Sequence, residues 1–218
     1  MGGNFTFSTT EDTATSFTIA TPTDPDGDSL NITVTSIPAG GVLSLSDGSL
    51  LLAGDTLTIS QLENITFTPN ADVNSDDNDI GTLVLTVTDG QGGSDSATFS
   101  FVVTAVNDAP SDIALTALTV DENSLGASVG TISFTDVDST AGTFSLSGAD
   151  ASLFEISDTG ELKLKADVSL DYDVTKSVDV TVTVTDASGA SFSKDFSILV
   201  NDLSTPETIT GTVVDGYV

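Results

Sequence analysis

The chain has 218 residues, enough for one domain or two, each with a core of its own. It carries 33 acidic residues against four lysines, with no arginine and no histidine, giving a net charge of −29. Such a balance argues against nucleic acid, whose phosphates need cationic side chains, and against anionic membranes; cations are the natural partners. The hydrophobic fraction of 38% and a mean hydropathy of +0.19 are too high for a disordered chain. There is no cysteine to staple the fold, and no apolar run approaches the ~18 residues that a membrane span needs.

Thr, Ser, Val and Ile dominate the remainder, a vocabulary that suits pleated, half-buried strands. In chain order, strands are expected at Asn4 to Ser8 and Ser16 to Ala20, then after the acidic turn Asp24-Pro25-Asp26-Gly27-Asp28 at Leu30 to Ser36. Shorter strands follow at Val42 to Leu45, Leu50 to Leu52, Thr56 to Ser60 and Ile65 to Thr68. The polar stretch from Asn70 to Asp79 reads as a loop. A strong hairpin, Leu83 to Thr88 and Ala97 to Thr104, closes the first half across the turn Asp89-Gly90-Gln91-Gly92-Gly93. No sustained helical period occurs, and at most one helical turn is expected, near Ala149 to Phe154.

Near the midpoint, Val106-Asn107-Asp108-Ala109-Pro110 interrupts this pattern. Proline forbids a continuing central strand, and Asn-Asp supplies side-chain and backbone oxygens. The second half then repeats the plan: Val180 to Asp186 echoes Leu83 to Asp89, Asp136-Val137-Asp138 echoes Asp24-Pro25-Asp26, and Asn201-Asp202 echoes Asn107-Asp108. From acidic turn to hairpin turn the distance is 65 residues in the first half and 50 in the second, which predicts an extra hairpin or longer loops in the first. The expected organisation is all-β: two antiparallel β-sandwich domains, residues 1–108 and 109–203, with 204–218 beginning a further domain. The start Met1-Gly2-Gly3 and the strand-like tail Thr208 to Val214 fit a piece of a longer chain.

Calcium takes six to eight hard oxygens at ~2.4 Å, and an Asp-x-Asp turn offers two carboxylates within reach of one ion. Two like charges ~4 Å apart repel by ~4 kcal/mol at an effective dielectric near 20, so such turns imply a cation or full exposure to water. Two known calcium motifs do not fit. An EF-hand loop beginning at Asp24 would need Gly where Ser29 stands and Glu where Thr35 stands, and Gly92-Gly93-Ser94-Asp95 is too short for a β-roll repeat.

Residues 109–202 resemble a cadherin domain. The carriers are Asp121-Glu122-Asn123, Asp136-Val137-Asp138, Phe154-Glu155-Ile156, Thr159-Gly160-Glu161-Leu162, Leu170-Asp171-Tyr172-Asp173, Val184-Thr185-Asp186 and Asn201-Asp202, in that order. Residues 4–108 resemble the divergent cadherin-like repeats of very large bacterial surface adhesins of the RTX type. There the carriers are Glu11-Asp12-Thr13, Asp24 to Asp28, Phe67-Thr68-Pro69-Asn70, Asp89 to Gly93 and Val106 to Pro110. The resemblance implies Ig-like sandwiches joined by a calcium-binding linker, in a secreted protein of the bacterial cell surface that serves adhesion or biofilm formation. It implies that the joint draws Glu11, Asn107 and Asp108 from the first domain and Asp136, Asp138 and Asp186 from the second. The first domain has no Leu-Asp-x-Glu, for which Asp76, Asp77 or Asp79 stands as a substitute; in the second, Asp173 replaces the family's Glu. Glu122, Asp171, Asp173 and Asp202 would form half a site toward a following domain, and Asp24, Asp26, Asp28 and Asp89 the matching half at the other end.

Other readings stand beside this one. The acidic loops are also compatible with plain solvated turns or with adaptation to salt. Without His or Cys, a Ser or Thr nucleophile lacks its usual base, and a glycosidase-like carboxylate pair would have no Trp and only Tyr172 and Tyr217 for sugar stacking besides Phe, so no enzyme is expected. The alternative function is a carbohydrate- or peptide-binding module on a cell surface. Partners expected are neighbouring domains of the same long chain and a glycan or protein on a target cell, with the fragment itself a monomer.

Overall fold

The computed structural model describes residues 2–76 and 78–203, and the chain divides into two compact units after Val106. The first unit holds β1 (Gly3–Thr10), β2 (Thr15–Phe17), β3 (Asn31–Ser36), β4 (Gly41–Ser44), β5 (Thr56–Leu57), β6 (Ile65–Pro69), β7 (Thr82–Thr88) and β8 (Ser94–Thr104). One sheet runs β1-β8-β7-β3-β5 and the facing one β2-β6-β4. The second unit holds β9 (Asp112–Leu115), β10 (Thr119–Asp121), β11 (Ser128–Thr135), β12 (Gly142–Ser147), β13 (Phe154–Ile156), β14 (Glu161–Leu164), β15 (Ser177–Asp186) and β16 (Ser191–Asn201). Its sheets run β10-β16-β15-β12 and β13-β14-β11-β9.

The two topologies correspond closely. In each unit an early strand lies parallel to the last one, β1 on β8 and β10 on β16, with Thr10 opposite Thr104 and Asp121 opposite Asn201. The long hairpins β7–β8 and β15–β16 alternate buried and half-exposed residues, the period-2 signature of a strand with one face on a core. Their inward residues are Leu83, Leu85 and Val87 in one unit and Val178, Val180, Val182 and Val184 in the other, all at most 5% exposed.

The longer first unit is explained by one insertion. Between β4 and β6 lie the two-residue strand β5 and a 3-10 turn, Ile59–Leu62, whereas β13 and β14 are joined by a tight hairpin turn. This corrects two expectations. Thr56 to Ser60 is not one strand, because Gln61 reaches back to accept the Thr58 N–H (2.9 Å) and starts the helical turn. Leu50 to Leu52 forms only a single bridge, Ser44 to Leu50, with Leu51 alone buried. The helical turn expected near Ala149 to Phe154 is a 3-10 turn at Ala151–Leu153.

The cores differ in composition. The first is knitted by phenylalanines: Phe7, Phe17, Phe67 and Phe101 approach one another with ring centroids 4.3 to 6.1 Å apart, in tilted, stacked and edge-on pairs. The second is aliphatic around Ile113, Val120, Leu162, Leu164 and Ile198, with Phe154 and Phe196 buried and Phe144, Leu146, Leu153 and Phe192 packed against it.

Candidate metal centre

The acidic residues collect where strands end, and their first task there is to hold turns. Asp24 Oδ1 accepts the N–H groups of Asp26 (2.8 Å) and Asp28 (3.1 Å), and Asp89 Oδ1 those of Gln91 (2.7 Å) and Gly93 (2.9 Å). In the second unit Asp136 Oδ1 accepts from Asp138 and Ser139, both at 2.8 Å, and Asp186 Oδ1 from Ser188, Gly189 and Ala190 at 2.6 to 2.9 Å. These Asx-type bonds explain why aspartate rather than glutamate fills the turns: the shorter side chain folds back on its own loop. One oxygen is thereby fastened and the other left over.

In the first unit Glu11 is the anomaly. It follows β1, its backbone N–H bonds Thr104 O (3.0 Å), and its side chain is 1% exposed. Oε1 accepts the Val106 N–H at 2.6 Å, while Oε2 is buried with no partner among the described residues. A buried carboxylate oxygen left bare costs free energy unless a cation or a donor meets it. Next to it in sequence, Asp12 has its carboxylate within 4.8 Å of that of Asp72, on the loop between β6 and β7. Both residues adopt left-handed φ values, 58° and 56°.

That loop, 70–81, has the same length as 165–176 between β14 and β15, so the acids expected to stand in for Leu170-Asp171-Tyr172-Asp173 lie in the corresponding loop of the first unit. Its candidates divide. Asp76 is exposed and its N–H bonds Asn74 Oδ1 (3.0 Å); Asp79 Oδ1 accepts the Gly81 N–H (3.0 Å); Asp77 lies outside the described residues. Asp72, which the sequence did not single out, is the residue brought beside Asp12.

In the second unit the residues after the division join the domain ahead of them. The Asn107 amide donates to Asp186 Oδ2 (2.7 Å), and the Asp108 N–H to Asp138 Oδ2 (2.6 Å). Asn107 and Asp108 therefore belong with the second unit, and the division falls two residues earlier than the expected boundary of 108. The carboxylates of Asp108 and Asp138 approach within 4.8 Å, and Asp136 Oδ2 is buried with no partner among the described residues. The bond from Asn107 is the largest influence holding the Asp186 carboxyl below the ordinary aspartate range, followed by burial, which opposes it, and the three loop N–H groups.

The outer candidates resolve differently. Asp24 and Asp89 line one depression with Asp95, whereas Asp26 and Asp28 are exposed on the turn. At the end of β16, Glu122 is buried with both oxygens satisfied, Oε1 by the Leu203 N–H (2.8 Å) and Oε2 by the Tyr172 N–H (3.0 Å). Asp171 Oδ1 accepts the Asp173 N–H (2.9 Å), and Asp173 and Asp202 are exposed. Asn201 is the last residue of β16 and bonds Asp121 (2.8 Å), whereas Asn107 lies beyond the end of β8. The two Asn-Asp pairs thus occupy different places, and their echo in sequence does not extend to the fold. Residues 204–218, expected to begin a further domain, lie outside the described residues.

The donor set is all oxygen, with two pairs of facing carboxylates and two bare buried oxygens. It suits a hard cation of the calcium kind and offers no nitrogen or sulfur to softer metals.

Parallel early strand, long closing hairpin and two facing sheets define a cadherin-like, Ig-like β-sandwich, here present twice in tandem. Residues 2–102 match the bacterial Ig domain family. Among solved structures, the chain is similar to protocadherin gamma B2 extracellular cadherin domains 3–6 (TM-score 0.58, 17% identity, 92% of this chain and 46% of that one). It is likewise similar to PcdhgB3 EC1-4 (0.58, 19%, 92% and 48%) and to human CDH23 EC21-23 (0.53, 18%, 91% and 68%). The chain spans about half the length of the protocadherin structures it matches. A search of curated proteins returned no match. Among the described residues no helix is long and apolar enough to cross a membrane.

Proposed function

We propose that this chain is a calcium-dependent repeat of a secreted bacterial surface adhesin, in which calcium stiffens the joint around Val106-Asn107. The observation that carries this reading is the bare, buried Oε2 of Glu11, a carboxylate oxygen placed where the chain leaves the first unit. Asp136 Oδ2 supports it from the second unit. The bound ion would supply divalent positive charge to carboxylates that otherwise repel one another.

The chain's own residues do the rest. Glu11, fastened by the Val106 N–H, presents its second oxygen, with Asp12 and Asp72 as neighbouring acids. Asp186 orients the Asn107 amide, Asp138 holds the Asp108 N–H, and the turn bonds at Asp136 Oδ1 leave Oδ2 for a ligand. Because these groups adjoin one covalent junction, their mutual repulsion without metal favours a loose joint, and a shared cation favours a stiff one. Repeated along a long chain, such joints make a rod that carries an adhesive end away from the cell. Isothermal titration with calcium, paired with small-angle scattering in chelator and in millimolar calcium, tests this. Saturable heat and a longer maximum dimension in calcium are expected; no heat and identical scattering profiles overturn it.

A further inference from the structure

Three Asp-Gly pairs lie in turns of the first unit: Asp26-Gly27, Asp47-Gly48 and Asp89-Gly90. A fourth, Asp215-Gly216, lies outside the described residues. Such a pair exposes an aspartyl carboxyl to its own main chain, because glycine has no Cβ to crowd the nitrogen that follows. In the three described pairs the glycine is alike. Its φ is 83°, 84° and 75° in chain order, and a Cβ added there would meet nothing within 4 Å. The pairs differ in what holds the aspartate.

At Asp47 and Asp89 the residue before the glycine is also the one that fastens the turn. Asp47 Oδ1 accepts the Ser49 N–H (2.9 Å) and the Ser49 hydroxyl (2.6 Å), and the Gly48 N–H is itself engaged by Leu45 O (2.9 Å). The Ser49 hydroxyl, and after it the Ser49 N–H, holds the Asp47 carboxyl below the ordinary aspartate range, and an ionised carboxylate is the poorer electrophile. Asp89 Oδ1 accepts the N–H groups of Gln91 (2.7 Å) and Gly93 (2.9 Å). In the third turn these duties are split. Asp24 does the fastening, through the N–H groups of Asp26 and Asp28. Asp26 precedes the glycine, exposed, and its carboxylate accepts no hydrogen bond among the described residues. The Gly27 N–H reaches Asp24 O only at 3.3 Å.

We propose that Asp26-Gly27 is a modification site at which the protein ages, its aspartate isomerising spontaneously to isoaspartate while Asp47 and Asp89 are held back. The Gly27 nitrogen attacks Asp26 Cγ and gives up its proton, the carboxyl hydroxyl leaves with that proton as water, and a cyclic imide closes. Water then reopens the ring. Where it cleaves the bond between that nitrogen and the Asp26 main-chain carbonyl, the chain thereafter runs through Cβ and Cγ, and the former main-chain carbonyl becomes the free carboxylate. The water lost is regained, so mass and formal charge are unchanged, and no enzyme, oxidant or metal takes part. The main chain is one atom longer ahead of Asp28, whose N–H no longer aligns with Asp24 Oδ1, and the acidic turn loosens.

The test keeps the full chain for weeks near neutral pH, then digests it and measures isoaspartate site by site with electron-transfer fragmentation. Chelator is present throughout, so the result does not depend on calcium. Asp26 is expected to convert roughly tenfold faster than Asp47, the rate equivalent of one charge-assisted hydrogen bond that must first be released. Ser49→Ala, at an exposed position, removes one of the two bonds to Asp47. It is expected to speed conversion there several-fold and to leave Asp26 unchanged. In denaturant, where no turn is fastened, the three rates are expected to converge. No isoaspartate at Asp26, equal rates at the three sites in the folded chain, an Asp47 rate that Ser49→Ala does not move, or a ranking that persists in denaturant overturns the proposal.

Discussion

Glu11 and Glu122 occupy the same position in two copies of one fold, and they are used differently. Each follows the early parallel strand, bonds the end of the last strand through its backbone N–H, and gives Oε1 to the N–H two residues further on, Val106 or Leu203. Glu122 spends its second oxygen on the Tyr172 N–H and so closes a three-way clip between strand, loop and exit. The second oxygen of Glu11 has no such donor among the described residues. One glutamate has both oxygens met by N–H groups, and the other has only one so met. The lesson is that one glutamate position clips the exit of both units, and the number of local N–H groups decides how much of its carboxylate is left over.

The largest effect should come from calcium itself. At ten- to a hundredfold over its dissociation constant, each site adds about 1.4 to 2.7 kcal/mol. The melting temperature is thus expected to rise by several degrees, read by calorimetry against chelator. Glu11→Gln should abolish most of that rise while Glu122→Gln leaves it largely intact. An equal loss in the two variants would break the comparison.

Without calcium the order should reverse. In Glu122→Gln the amide –NH2 must face one of two backbone donors, an unpaired contact that costs roughly 1–3 kcal/mol. In Glu11→Gln the amide oxygen keeps the Val106 N–H and the –NH2 replaces an oxygen that had no donor, so the loss should be under about 1 kcal/mol. Hydrogen exchange in chelator, read unit by unit, measures both.

Much of the fold is legible in the order of residues alone. The β7–β8 and β15–β16 hairpins announce themselves because Leu83-Leu85-Val87 and Val180-Val182-Val184 repeat at period 2, which only a one-sided strand requires. The repeat is visible because turns and strand ends keep the same residues. The extra length of the first half shows in its 65-residue spacing against 50, but the form of the insertion between β4 and β6 does not, since Thr56 to Ser60 has strand composition and only the Thr58–Gln61 contact diverts it. Of the candidate site, Glu11, Asp136 and Asp186 are reached through the resemblance to cadherin repeats, whose motifs the sequence carries in order. Asp72 is hidden in a loop of near-equivalent acids, where its nearness to Asp12 is a matter of loop conformation. The side to which Asn107 and Asp108 belong is also hidden, because hydrogen bonds to Asp186 and Asp138, separated from them by 79 and 30 residues, decide it.

A smaller effect sharpens that last point. The Asp186 carboxyl is held below its ordinary value, first by Asn107. A carboxyl whose folded pKa is depressed stabilises the fold fully above the unfolded value near ~3.9, and loses that contribution as pH falls through the folded value. Asn107→Ala in chelator should therefore raise the Asp186 pKa and move acid unfolding of the second unit to higher pH, leaving the first unit's acid transition in place. Carboxyl NMR titration checks the first and exchange the second. An unmoved Asp186 would return Asn107 to the first unit.

The smallest effect concerns β9, which closes the edge of β11. Its exposed end is tied to β16 by Lys194 Nζ on Asp112 Oδ1 at 2.7 Å, one of few cations in a strongly acidic chain. The bond draws attention, yet both partners face solvent, where ion pairs gain little over hydration and weaken with salt. What fixes β9 is the buried Ile113 and the four-residue ladder to β11, which a change at Lys194 does not touch. Lys194→Ala should leave the unfolding midpoint of the second unit within error at ~0.15 M salt and leave the amide exchange of Ile113 and Leu115 unchanged. Faster exchange confined to those amides would mean that electrostatics, not burial, closes this edge.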